Sequence, residues 1–143
     1  MRRVVSCAAA MLSALALGCS AGGPQIYPVE GTVVFDDGAP AKALKGYAIE
    51  FERTEKVDGK LVSAVGTVGP DGTFRMTTLR DGDGAYVGEH RVVIGPPPTS
   101  GDGPAPSRII QKKYAAFDTS GLTATVGPKA NRVTLTVERI KKP

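Results

Sequence analysis

Apolar residues in this chain recur at every second position, in short runs that glycine and proline cut off. That period belongs to strands half-buried in a sheet, where successive side chains face opposite ways. Val29, Gly31, Val33 and Phe35 share one face of a first strand, closed by Asp36-Asp37-Gly38. Tyr47, Ile49 and Phe51 alternate with Ala48, Glu50 and Glu52. Residues 62–68 and 73–79 flank Gly69-Pro70-Asp71-Gly72, which reads as a tight hairpin turn, with Phe74 and Met76 facing inward. Tyr86, His90, Val92 and Ile94 line one face of a strand over 86–94. Leu122, Ala124 and Val126 line another, and Val133, Leu135 and Val137 the last. Residues 109–116 read as a short strand or a helical turn. With 18 Gly and 11 Pro there is little room for long helices. The expectation is all-β: a seven-stranded antiparallel Greek-key sandwich over residues 29–139, interrupted by an exposed Pro/Gly-rich loop over 96–108.

The length of 143 residues suits one domain. The formal charge is +4, and without Arg2 and Arg3 it falls to +2, with 16 basic residues against 14 acidic. The remaining Lys and Arg are dispersed, which argues against nucleic acid as a partner.

Residues 1–18 have the layout of a secretory signal, ahead of a tether over 19–28. Arg2 and Arg3 precede a 14-residue uncharged stretch, Val4 to Leu17. A spanning helix needs about 20 apolar residues. The stretch ends in Ala16-Leu17-Gly18-Cys19-Ser20. This resembles the lipobox of bacterial lipoproteins, with Ala16 where Leu is commonest. The resemblance implies that the Cys19 thiol takes a diacylglyceryl group and becomes the first mature residue. Thiolate nucleophilicity suits that role, and small Gly18 leaves the scissile bond accessible. Acyl chains at ~0.8 kcal/mol per buried CH₂ give stable anchoring. Ser20 implies passage to the outer membrane. Cys7 leaves with the leader, so the mature chain has no second thiol for a disulfide.

A second resemblance covers Val29 to Glu138. It rests on Val29-Glu30-Gly31-Thr32-Val33, Asp71-Gly72-Thr73-Phe74, Asp83-Gly84-Ala85 and Gly88-Glu89-His90-Arg91-Val92, then Ile110 to Tyr114 and Ser120-Gly121-Leu122-Thr123. This order resembles the carboxypeptidase regulatory-like, transthyretin-like sandwich of small bacterial lipoproteins. The resemblance implies an accessory, non-enzymatic domain without a cofactor. The hydrolase branch of the transthyretin fold uses several His and Arg residues and a Tyr-Arg-Gly-Ser tail. Here His90 is the only histidine and the chain ends Arg139-Ile140-Lys141-Lys142-Pro143.

Candidate site residues are few. His90 reads as a semi-buried strand residue. Asp81 and Asp83, with Asp36 and Asp37, offer oxygen ligands for calcium, although Asp-Gly is also the standard turn pair. Glu50 and Glu52 lie on one strand face, expected to meet solvent. Tyr47, Phe51, Phe35 and Phe74 read as core, leaving Tyr27, Tyr114 and Phe117 near loops. Tyr114 is the candidate ligand contact. The expected function is a lipid-anchored envelope module that binds a protein or polysaccharide. The alternatives are a carbohydrate-binding or enzyme-accessory module and, last, a small hydrolase using His90.

Overall fold

The computed structural model describes residues 22–97 and 107–141. The signal segment, Cys7, Cys19 and most of the Pro-rich loop lie outside that range. Among the described residues there are nine strands: β1 (Ile26–Tyr27), β2 (Val29–Phe35), β3 (Ala48–Arg53), β4 (Ser63–Thr67), β5 (Thr73–Arg75), β6 (Ala85–Tyr86), β7 (Gly88–Gly95), β8 (Leu122–Val126) and β9 (Asn131–Val137). The only α-helix among them is one turn, α1 (Phe117–Ser120). The chain is therefore all-β. Seven strands fall into two sheets, ordered β5-β2-β9 and β4-β3-β7-β8, and β1 pairs with β6 apart from both.

The expected tether reaches into the fold, because Ile26 and Tyr27 pair with Tyr86 and Ala85. The expected strand over 86–94 breaks at Val87, whose N–H goes to Gln25 and whose carbonyl accepts from Arg53. Residues 109–116 take both expected forms. Ile110 bridges Arg139, and Lys112–Ala115 form a 3₁₀ turn.

Two expectations about pairing are corrected. Residues 62–68 and 73–79 form no continuous hairpin. Val68 gives its N–H to Tyr47, while Gly72 accepts from Val33, so the turn between them crosses from one sheet to the other. β5 then pairs with β2, Gly31 opposite Phe74. Thr77 swings back to exchange two backbone hydrogen bonds with Val65 of β4, each 2.8 Å. Residues 73–77 thus close one side of the sandwich by touching both sheets. The sheets are also not antiparallel throughout, for β2 and β9 run parallel over seven paired positions from Val29↔Asn131 to Phe35↔Val137. The cause is another crossing. Val126 lies opposite Gly88, at the end where β7 starts and the N-terminal strand enters. The Gly127–Asn131 turn changes sheet there, and the Asn131 N–H donates to Pro28 O at 2.8 Å. β9 therefore starts at the same end as β2 and runs beside it.

The inward residues form one core, and Phe35, Tyr47, Phe51 and Phe74 are all buried in it. At its centre the Phe74 ring covers Gly31 and meets Phe51 of the other sheet edge-on, with centroids 6.2 Å apart. An aromatic folded over a cross-strand glycine restores the packing that glycine lacks. A Cβ on Gly31 would lie 2.3 Å from Val133 O and 2.4 Å from Phe74 Cζ. Gly84 answers a second close approach, with φ of +104° and room for no Cβ, which would sit 1.8 Å from Tyr27 O.

Gly31→Ala is expected to lower stability by about 1–3 kcal/mol through overpacking. Gly95→Ala, whose Cβ would meet nothing nearer than 4.0 Å, is the neutral control. Urea midpoints of the two variants, at unchanged m, measure the difference.

Candidate functional site

His90 lies on β7, opposite Arg53 and Ala124 on its neighbouring strands. It is 2 % exposed and its ring centroid is 5.9 Å from that of Phe51. Its Nδ1 lies 3.1 Å from Gly88 O. A carbonyl can only accept, so Nδ1 carries the proton. Burial pushes the pKa of His90 below its ordinary 6.5. The Gly88 hydrogen bond opposes this and the Arg53 charge adds to it. His90 is thus a neutral core residue, closed to substrate. Beside it, buried Arg53 donates to Val87 O, Glu55 O and the Glu55 carboxylate at 2.8–3.0 Å. The alternation of Ile49 and Phe51 carries on to Arg53, the next inward position of β3, and the Glu two residues on supplies its partner.

Two of the carboxylates offered as calcium ligands, Asp83 and Asp37, are engaged by the chain itself. Asp83 accepts backbone N–H groups from Thr78, Leu79 and Arg80 at 2.7, 3.0 and 2.9 Å. Burial raises its pKa, but those three donors outweigh burial and hold the carboxyl below the ordinary 3.8. Thr78 Oγ1 also donates to Gly84 O, and Gly82 N–H to Thr77 Oγ1, which fixes the 77–84 loop. Asp81 is exposed and makes no such contact. Asp37 accepts from Ala39 N–H and Arg139. Among the described residues, no three His, Cys, Asp or Glu side chains gather into a group that could hold a metal ion.

The candidate ligand contact is corrected. Tyr114 is 4 % exposed, and its hydroxyl accepts the Glu138 N–H at 3.0 Å. It seals the C-terminal edge of the core, because the 3₁₀ turn carries it inward. Tyr27 and Phe117 are half-buried. Arg91 lies over the Phe117 ring at 5.2 Å and pairs with Glu52 and Asp118. That pairing engages Glu52, while Glu50 lines a separate open hollow of about 660 Å³ that also includes Asp81.

The candidate site that remains lies on the β5-β2-β9 sheet. Register places Arg75, Glu30 and Arg132 in one row, and Thr73, Thr32 and Thr134 in the next. They line an open hollow of about 630 Å³, floored by Gly31, Phe74 and Val133. Arg75 and Glu30 face each other at 3.8 Å, both more than half exposed. The hollow offers guanidinium and hydroxyl groups in fixed rows, suited to hydrogen-bonding a polar or anionic surface. These residues occupy the polar positions of strands read for their apolar face. Their convergence depends on the parallel pairing of β9, which alternation does not reveal.

No family model, curated protein or solved structure matches the chain. The functional reading therefore rests on the molecule's own geometry. No helix among the described residues is long and apolar enough to cross a membrane.

Two acid-dependent losses of stability follow. Folding lowers the pKa of His90, so the unfolded chain binds the proton first. The stability His90 gives is complete above the ordinary 6.5 and is lost as the pH falls through the folded value. Urea unfolding between pH 7 and 5 should show the decline, and His90→Leu should flatten it. Asp83 has the same sign in a lower window, below 3.8. Asp83→Ala, measured at pH 7, is expected to cost about 1 kcal/mol, chiefly by leaving the part-buried Thr78 N–H without its acceptor, since water reaches the Leu79 and Arg80 donors.

Proposed function

We propose that the chain is an exported lipoprotein, anchored through Cys19 in the outer membrane, whose sandwich binds an envelope protein or polysaccharide and catalyses no reaction. The Arg75–Glu30–Arg132 row and its threonines carry the binding reading, because they present unburied hydrogen-bonding groups on a rigid sheet. The burial of His90 and the backbone bonds of Asp83 support a non-catalytic role, since both groups serve the fold. Two sheets of three and four strands, carrying the quoted motifs in order, support a Greek-key sandwich of the carboxypeptidase regulatory-like kind. The lipobox at Ala16 to Ser20 supports the anchor.

Crosslinking in intact cells, then affinity isolation of the tagged protein, tests the reading. An envelope protein or glycan should be recovered with the wild type. Recovery should drop about tenfold, or ~1.4 kcal/mol, in the Arg75→Glu, Arg132→Glu double variant. Both side chains are exposed, so the fold is expected to survive. Undiminished recovery from the double variant would remove the hollow as the contact. Cys19→Ala should release the protein from the membrane fraction.

A further inference from the structure

Leu79 and Leu61 are the two most exposed large apolar side chains among the described residues, at 73 % and 56 %. Both sit at one end of the sandwich. Leu61 lies beside the end of β3, where Val62 O accepts the Arg53 N–H. The Thr54 N–H next to it reaches Glu89 O, at the start of β7. Leu79 is at the tip of the 77–84 loop, and Gly84 of that loop packs directly on Tyr27. The N-terminal segment enters at this same end, held by Gln25 O on the Val87 N–H.

The loop that carries Leu79 is rigid. Asp83 binds the backbone N–H groups of Thr78, Leu79 and Arg80 together, and Thr77 and Thr78 brace both flanks. A loop so held presents Leu79 to solvent at a fixed angle, with no core contact to account for it. Of the four exposed large apolar side chains among the described residues, Val65 lies within β4 and Ile140 beyond β9, which leaves Leu61 and Leu79 as the two at the tether-side end.

The chain's own layout says what that end meets. Gln25 lies six positions after Cys19. At ~3.6 Å per residue they span about 22 Å at full stretch, so a lipid on Cys19 keeps this end of the domain close to the bilayer. Lys56, Lys60, Arg80 and Lys129 stand on the loops of this end, and none of them joins an ion pair among the described residues. Asp58 and Asp81 on the same loops, with exposed Glu89 at the start of β7, offset most of that charge.

We propose that the tether-side end of the sandwich is a membrane-contacting surface, in which Leu61 and Leu79 enter the boundary between headgroups and acyl chains. The proposal rests on the lipid anchor at Cys19. The apolar tips would sit about 5–10 Å into the boundary, as in amphipathic interfacial segments. The basic side chains around them meet lipid phosphates. The anchor then fixes an orientation as well as a location. The domain stands on this end, with the far end, where β2 and β9 finish, turned away.

The chain contains no tryptophan, so one introduced residue reports alone. The full-length protein is purified from membranes as Leu79→Trp and, separately, as Ile140→Trp, an exposed position beyond the far end of β9. Each is reconstituted into phosphatidylcholine and phosphatidylglycerol vesicles, with and without brominated acyl chains. Leu79→Trp is expected to shift to the blue and to be quenched by bromine. Adding Leu61→Ser should reduce the shift, and Ile140→Trp should show neither effect. A mass spectrum of the N-terminal peptide reports the lipid on Cys19 independently. Lipidated protein whose Leu79→Trp escapes quenching, or is quenched no more than Ile140→Trp, overturns the contact and leaves the anchor standing. A Cys19 without lipid mass overturns the anchor and this orientation together.

Discussion

The Phe74 ring lies over a residue without a side chain and against a ring of the opposite sheet, and the rest of the sandwich depends on that contact. Gly31 makes room for Phe74, and Phe74 meets Phe51 edge-on at 6.2 Å. A single aromatic thereby sets both the register of β5 on β2 and the spacing between the sheets. A slip of one residue on β5 would turn Phe74 to solvent and bring an arginine or a threonine over Gly31. The crossing of residues 69–72 follows from the same demand. The chain must leave β4 and change sheets to deliver Phe74 to Gly31, and it returns to β4 only at Thr77.

Alternation along the sequence reveals which side chains go inward, because burial acts on each strand separately. Val29, Val33 and Phe35, then Ile49 and Phe51, then Val92 and Ile94, are buried as their spacing indicates. Alternation carries no information about which strand lies beside which. The short Gly69–Gly72 turn resembles a hairpin from within, since its Asp71 hydrogen bonds to Thr73 are local. The partner of Thr73 is decided by Gly31, some forty positions away. Tyr114 was legible as an aromatic near a loop, but its inward direction comes from a 3₁₀ turn, which leaves no two-residue period. The Arg75–Glu30–Arg132 row was illegible for the same reason, because it exists only once β9 lies parallel to β2.

The acidic residues most visible in the sequence are held by backbone. Asp71 and Asp83 accept main-chain N–H groups in turns, and Asp37 does so beside Arg139. Their conformational work keeps the loops in shape, and the arginines and threonines on open strand faces are left to meet other molecules. The hollow of the three-stranded sheet and the tether-side loops are accordingly separate surfaces. The first lies across the strands, and the second caps their ends. Under the orientation proposed above, the hollow opens sideways along the membrane, where a neighbouring envelope component can reach it.

The parallel pairing of the first long strand with the last has a consequence for how the molecule comes into being. Pro28 and Asn131 are 103 positions apart, yet their hydrogen bonds close the sheet. Until Asn131 and its strand arrive, β2 has a partner on one edge alone. Closing so long a loop costs entropy before any contact repays it, which places a slow step of folding at the joining of β9 to β2. Until β9 joins it, β2 therefore keeps one edge open. Under the export proposed above, a sheet that closes only when β9 joins β2 would keep the chain threadable through a narrow channel.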